Sequence, residues 1–187
     1  MRCSTPDAVR RSTTDYGTAL TRAMFEAFAQ CSAERHRRRA HELRERGHAL
    51  PGAAAAVSAL AATDGVVQTV VTGNIRPVTE TELVVFGLDT HVLFPYGGYG
   101  EDHDDRAELV RTAMTRSAEA LGGPIKAANV LLIGETPADV AAARSAGVPV
   151  LSVATGRSTL HTLAEAGAAH VIPNLQNLPA LFVALRR

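Results

Sequence analysis

Apolar and polar positions change period repeatedly along this chain, and each change marks an element. From Thr18 to Arg46 the apolar residues Leu20, Met24, Phe25, Phe28 and Cys31 recur at steps of three and four, which predicts a helix. After Pro51 the punctuation becomes regular. An alanine helix over residues 53–62 ends at Thr63-Asp64-Gly65, and the β-branched run over residues 66–71 reads as a buried strand. Pro77 opens a helix to Phe86, a short strand is expected over residues 92–94, and a glycine-rich loop follows over residues 96–100. A helix from about Asp105 to Leu121 leads to a strand over residues 130–133. Pro137 then starts a helix that stops at Gly147. A strand over 148–153, a helix from Thr159 to Gly167, a strand over 170–172 and a helix from about Asn177 complete the chain. Strand–helix alternation with short connections predicts an α/β fold, a parallel sheet with helices on both faces. In Ala146-Gly147-Val148 and Ala166-Gly167-Ala168, glycine is expected to end a helix in the left-handed conformation.

Composition narrows the classes. Nineteen Lys and Arg balance nineteen Asp and Glu over 187 residues, which argues against a general nucleic-acid binder or a polybasic membrane protein. The arginines between Arg35 and Arg46 are interleaved with Glu34, Glu42 and Glu45, as on a solvated helix face. Cys3 and Cys31 form no metal or redox spacing, the N-terminus has no apolar signal segment, and a cytoplasmic protein is expected.

In open parallel sheets, ligands bind beyond the carboxyl ends of the strands. Three such ends carry polar turn residues. Thr72-Gly73-Asn74 offers a hydroxyl and backbone N–H groups to an anionic oxygen, although Thr72 could simply terminate a strand. In Gly134-Glu135-Thr136-Pro137-Ala138-Asp139, two carboxylates four residues apart could reach one hard cation. Asp139 could equally complement the helix N-terminus. Thr155-Gly156-Arg157 is a third turn, without a dinucleotide or P-loop pattern. The acidic cluster Glu101, Asp102, His103, Asp104, Asp105 reads better as helix-start complement than as a metal site. Arg106 directly after it could bring a permanent charge beside a phosphate.

Taken together, the strand ending in Thr72-Gly73-Asn74, the loop before Arg106 and the stretch LLIGETPADVAAARSAGVPVLSVATG resemble the haloacid dehalogenase (HAD) superfamily, in its phosphoglycolate-phosphatase-like branch. The resemblance implies a Rossmann-like core over residues 51–187 and a partial helical cap over residues 12–50. It assigns Thr72, Gly73 and Asn74 to phosphate binding and Arg106 to the basic residue that neutralises the phosphate, with Lys126 as a weaker rival. Glu135 and Asp139 fall on the acids that hold Mg²⁺, Glu135 standing where the family has Asp. The implied ligand is a small phosphorylated metabolite, with neither nucleic acid nor membrane as partner.

The family's first motif is a hydrophobic strand ending in DxDGT or DxDGV, which supplies the nucleophile, the general acid/base and a metal ligand. No such stretch occurs here; Thr14-Asp15-Tyr16-Gly17-Thr18 is the only partial imitation. The chain is therefore expected to be inactive as given, either an enzyme lacking its catalytic start or a non-catalytic HAD-like protein that binds a phosphorylated ligand or a protein partner. An unrelated α/β binding module is the third reading. The absent strand is the central one, between those ending at Val71 and Ile133. Those two are expected nearest the middle of the sheet, closing up, leaving an apolar slot, or admitting another chain by self-association.

Overall fold

The computed structural model describes residues 22–176 and 178. The expected features at residues 12–18, and the helix from Asn177 apart from Leu178, lie outside the described residues. The helical segment is broken in two: α1 (Arg22–Arg38) and α2 (Ala40–Arg46) meet at Arg39, whose backbone leaves the helical region. The guanidinium of Arg39 turns back to Glu42, and Arg38 pairs with Glu34, so these arginines are paired along an exposed surface. Both helices pack on α4 (Arg76–Val85), which follows α3 (Ala53–Ala61). None of the helices among the described residues is long and apolar enough to cross a membrane.

The sheet has three parallel strands in the order β1 (Leu132–Gly134), β2 (Val150–Val153), β3 (His170–Ile172). Two helices precede and separate them: α5 (Arg106–Leu121) and α6 (Pro137–Ala146). Strand alternation distributes the faces. Leu132 and Val150 turn toward Ala107, Val110, Ala142 and Ala143 of α5 and α6. Leu131 and Leu151 turn the other way, toward Ala56 and Leu60 of α3 and toward Leu178. Helices therefore cover both faces, as the periodicity predicts. The short α7 (Leu160–Glu165) lies between β2 and β3, and Gly147 and Gly167 take left-handed φ angles of 74° and 97° after α6 and α7.

Two strand expectations need correction. Residues 66–71 do not join the sheet, and β2 takes the central place. Val71 makes a single parallel bridge to Gly98, supported by Gly98 N–H to Val70 O and Thr72 N–H to Gly98 O, each 3.0 Å. No strand stands between residues 66–71 and β1 among the described residues, so no ladder can extend across. Instead a cavity of about 550 Å³ opens there, lined by residues 66–71, by Met114 and Ser117 of α5, and by residues 129–133. The expected strand over 92–94 gives way to a 3₁₀ turn at Phe94–Tyr96. Pro95 sits inside it, with no N–H for a ladder and a φ that suits the turn.

Ser152 in β2 is fully buried, and its hydroxyl has no hydrogen-bond partner. An unsatisfied buried hydroxyl costs about 1–3 kcal/mol. Ser152→Ala is therefore expected to stabilise the protein by roughly 1 kcal/mol, raising the melting temperature by about 2–4 °C. Thermal unfolding followed by circular dichroism checks this; a lower melting temperature would show that the hydroxyl is satisfied.

Candidate functional site

The turns between strands and helices converge on Asp139. Thr136 caps α6: its hydroxyl accepts the Asp139 N–H at 3.3 Å and donates to Asp139 Oδ2 at 2.8 Å. The same Oδ2 accepts the Glu135 and Thr136 N–H groups, both at 3.0 Å. This reciprocal arrangement is the capping box that a Thr three residues before an acid favours. The other oxygen, Oδ1, forms an ion pair with Arg106 Nε at 2.7 Å; the Asp139 side chain is 8% exposed and that of Arg106 41%. Gly134 makes room for the carboxylate, because a Cβ there would lie 2.4 Å from Asp139 Cβ.

Arg106 is the first residue of α5, and Asp105 caps that helix by accepting the Ala107 N–H at 2.8 Å. The salt bridge fixes the Nε edge of the guanidinium. Its terminal nitrogens carry no hydrogen bond among the described residues, and they belong to a partly exposed side chain. Glu135 is exposed beside the next turn, where the Thr155 hydroxyl approaches its Oε2 at 3.4 Å. Arg157 is exposed and Lys126 stands at the start of a 3₁₀ turn, Ala127–Asn129.

Thr72 belongs to a neighbouring arrangement. Its hydroxyl accepts the Asn74 N–H at 3.1 Å, and the Asn74 side chain donates to Glu82 at 3.3 Å. The glycine loop is pressed against this turn. A Cβ on Gly100 would meet Gly73 O at 2.0 Å, and one on Gly98 would meet Leu109 O of α5 at 2.1 Å. The loop is thus a thin spacer between Thr72-Gly73-Asn74 and α5. Val71 nevertheless packs against the cluster that holds Ala107, which directly follows Arg106, and Ala143, one helical turn after Asp139. Among the described residues, no hydrogen bond or ion pair joins Thr72 to Arg106, Glu135 or Asp139.

The acidic cluster is largely spent on structure. Both Glu101 oxygens accept the Arg76 N–H at the start of α4, at 3.1 and 3.0 Å. Asp102 forms a two-pronged pair with Arg116 at 2.7 and 2.8 Å and accepts the Tyr99 N–H at 2.9 Å. Arg116 also donates to Gly97 O, at 2.6 Å, which ties the loop to α5. Its guanidinium pKa is raised, chiefly by the hydrogen bond to Asp102. The phenol of buried Tyr99 is pushed up to about 12, mainly by burial. The contacts of Arg116 reach Gly97 and Asp102, 19 and 14 residues away, which the local sequence pattern does not reveal.

Burial also raises the Glu101 carboxyl, with nearby Asp102 adding to it and the Arg76 N–H opposing. A carboxyl raised on folding is strained when ionised, and the strain is relieved as pH falls through its folded value. Glu101→Gln keeps an acceptor for Arg76. Its melting temperature relative to wild type is expected to be higher at pH 7 than at pH 4, where the wild-type carboxyl is largely neutral. The opposite trend would show that the Arg76 contact outweighs burial.

The described residues do not fit a Mg²⁺ ion. Oδ2 of Asp139 is filled by three donors and Oδ1 faces a guanidinium, leaving Glu135 as one exposed carboxylate. Among the described residues no group of three acidic, histidine or cysteine side chains is placed to hold a metal. Octahedral Mg²⁺ needs better-placed oxygens than these.

A parallel sheet with anion-compatible turns at its strand ends defines a class of α/β proteins that bind at that edge. Within that class the family is known: residues 6–144 match the model of haloacid dehalogenase-like hydrolases, and the chain belongs to that family. Solved structures share the fold at low identity. A hydrolase from Pseudomonas syringae superposes with a TM-score of 0.64 at 20% identity, covering 97% of this chain and 78% of that one. A predicted phosphoglycolate phosphatase from Haemophilus somnus gives 0.58 at 18%, covering 94% and 74%. The L-2-haloacid dehalogenase from Xanthobacter autotrophicus gives 0.53 at 18%, covering 96% and 74%. Comparison with curated proteins finds no match.

Proposed function

We propose that this chain is a phosphoglycolate-phosphatase-like member of the family that holds a small phosphorylated metabolite but, lacking the attacking aspartate, does not hydrolyse it. Thr72, Gly73 and Asn74 would supply a hydroxyl and N–H groups, and Arg106 the positive charge. The helices within residues 12–50 would form a partial cap, and the setting would be cytoplasmic. The observation that supports the reading best is Arg106 itself. Its Nε is paired with Asp139 at 2.7 Å while its terminal nitrogens have no partner among the described residues, an arginine oriented before any anion arrives. The saturated carboxylate of Asp139 favours the non-catalytic form of the proposal, because that oxygen set is already committed.

Calorimetric titration with phosphoglycolate tests it. Arg106→Ala is expected to weaken binding about ten- to a hundredfold, the usual worth of a charge-assisted hydrogen bond. Thr72→Ala should weaken it less. Equal affinity in wild type and Arg106→Ala, or no binding by either, would remove the proposal.

A further inference from the structure

The turn proposed above to hold phosphate is braced from outside itself. Asn74 is held at three points. Its N–H donates to the Thr72 hydroxyl at 3.1 Å, its C=O accepts the Gly100 N–H at 3.0 Å, and its side-chain NH₂ donates to Glu82 Oε2 at 3.3 Å. The first of these bonds sets the chemistry of Thr72. A hydroxyl that accepts the Asn74 N–H keeps its own proton to donate, and among the described residues no acceptor takes it. The third bond ties the turn to the second half of α4.

A carboxylate is a costly choice for that tie. Val78 and Thr79 are buried on α4, and Glu82 follows them by four and three residues, so it shares their inward face. Burial pushes its carboxyl up, and His36 of α1 and the Asn74 hydrogen bond oppose this. Among the described residues His36 is the one titratable group that acts on Glu82 from the helices packed against α4. Its Nδ1 donates to Ser32 O at 3.2 Å within α1. On α4 itself, Arg76 and Glu80 pair with each other at 2.7 Å. A negative charge beside an anion site also repels the ligand. What Glu82 gains over a neutral acceptor is a charge-assisted bond, roughly twice as strong, on the amide that stands next to Thr72 in the turn.

We propose that Glu82 is a positioning residue of the anion site. It fixes the Asn74 side chain, keeps the Asn74 N–H on the Thr72 hydroxyl, and so aims the Thr72 proton at an anionic oxygen of the ligand. The proposal rests on the phosphate reading for its ligand and on these two hydrogen bonds for its geometry. Glu82 itself touches no phosphate; it acts through Asn74.

The test titrates the full chain with phosphoglycolate. Glu82→Ala is expected to bind about tenfold more weakly although it removes a negative charge. Glu82→Gln keeps an acceptor for the amide and should stay within about threefold of wild type. Simple repulsion would make both variants bind more tightly, and that result would overturn the proposal. In an Asn74→Ala background, Glu82→Ala should cause no further weakening. A full tenfold loss there would show that Glu82 acts by another route, and would overturn it too. Nuclear magnetic resonance of the free protein adds a readout that mere support of α4 would not move. The two Asn74 side-chain amide protons should shift with pH at the midpoint of the Glu82 carboxyl, above that of an ordinary glutamate, and the shift should vanish in Glu82→Gln. Asn74 protons indifferent to Glu82 would overturn the positioning role whether or not phosphoglycolate binds. If Asn74 followed Glu82 but wild type bound no phosphoglycolate, the phosphate reading would fall and this site role with it, and the amide shifts would tell that failure from the other.

Discussion

Incubated with p-nitrophenyl phosphate or phosphoglycolate, the purified 187-residue chain is expected to release phosphate no faster than its Thr72→Ala variant, with or without added Mg²⁺. In the family this chain belongs to, an aspartate at the end of a central strand attacks phosphorus, and a second aspartate two residues on handles the proton. The sequence holds no DxDGT or DxDGV stretch, and among the described residues the place between residues 66–71 and β1 is a cavity. Under the proposed function, Thr72 and Arg106 would hold and neutralise a phosphate and would not attack it. Losing a positioning donor costs an enzyme about 10²–10³-fold, whereas losing the nucleophile removes the covalent route altogether. Asp139 cannot take over, because its carboxylate is occupied by two backbone N–H groups, the Thr136 hydroxyl and Arg106. Glu135 is exposed but follows β1 instead of ending a strand in the cavity. Phosphate release is followed over hours at both substrates. Robust Mg²⁺-dependent turnover lost in Asp15→Asn would show that the Thr14–Thr18 stretch supplies the nucleophile after all.

Where a segment's structure depends on its own residues, the sequence was a good guide. Thr136-Pro137-Ala138-Asp139 announces a helix start by cap chemistry alone, and α6 begins and ends where Pro137 and Gly147 place it. The same holds for α5, capped by Asp105, and for β2 and β3, short apolar runs that meet each other in parallel register. The run over 66–71 has equally strong strand composition, yet it makes one bridge. Strand pairing requires a neighbour, and composition does not reveal whether one is present. The site divides the same way. Arg106 and Asp139 were legible as candidates, but their mutual ion pair joins residues 33 apart in the chain and was not foreseen. Glu101 on Arg76 N–H and Asp102 on Arg116 are likewise long-range partners; within the row of acids, Asp105 caps α5 and Glu101 meets the start of α4, while Asp102 braces the loop.

The largest expected loss of stability comes from Asp139→Ala. The carboxylate is 8% exposed and joins four interactions at once, tying the end of β1, the start of α6 and the start of α5 into one knot. Removing it orphans the Glu135 and Thr136 N–H groups, breaks the capping box and leaves the Arg106 guanidinium without its partner. Loss of a cap costs about 0.5–2 kcal/mol, and breaking a buried ion pair about 3–5 kcal/mol. Arg106 is partly exposed, so water recovers much of its charge and the second figure must be discounted. A total near 3 kcal/mol follows, lowering the melting temperature by roughly 6–12 °C. Arg106→Ala should cost far less, since Asp139 keeps its three other donors. Asp139→Asn should fall between, because an amide oxygen can still cap the helix while its NH₂ meets Arg106 unfavourably. The double variant Arg106→Ala/Asp139→Ala isolates the ion pair, and its coupling should be clearly positive but smaller than the cap loss. If Asp139→Ala melted within a degree or two of wild type, the knot would not be holding β1, α5 and α6 together.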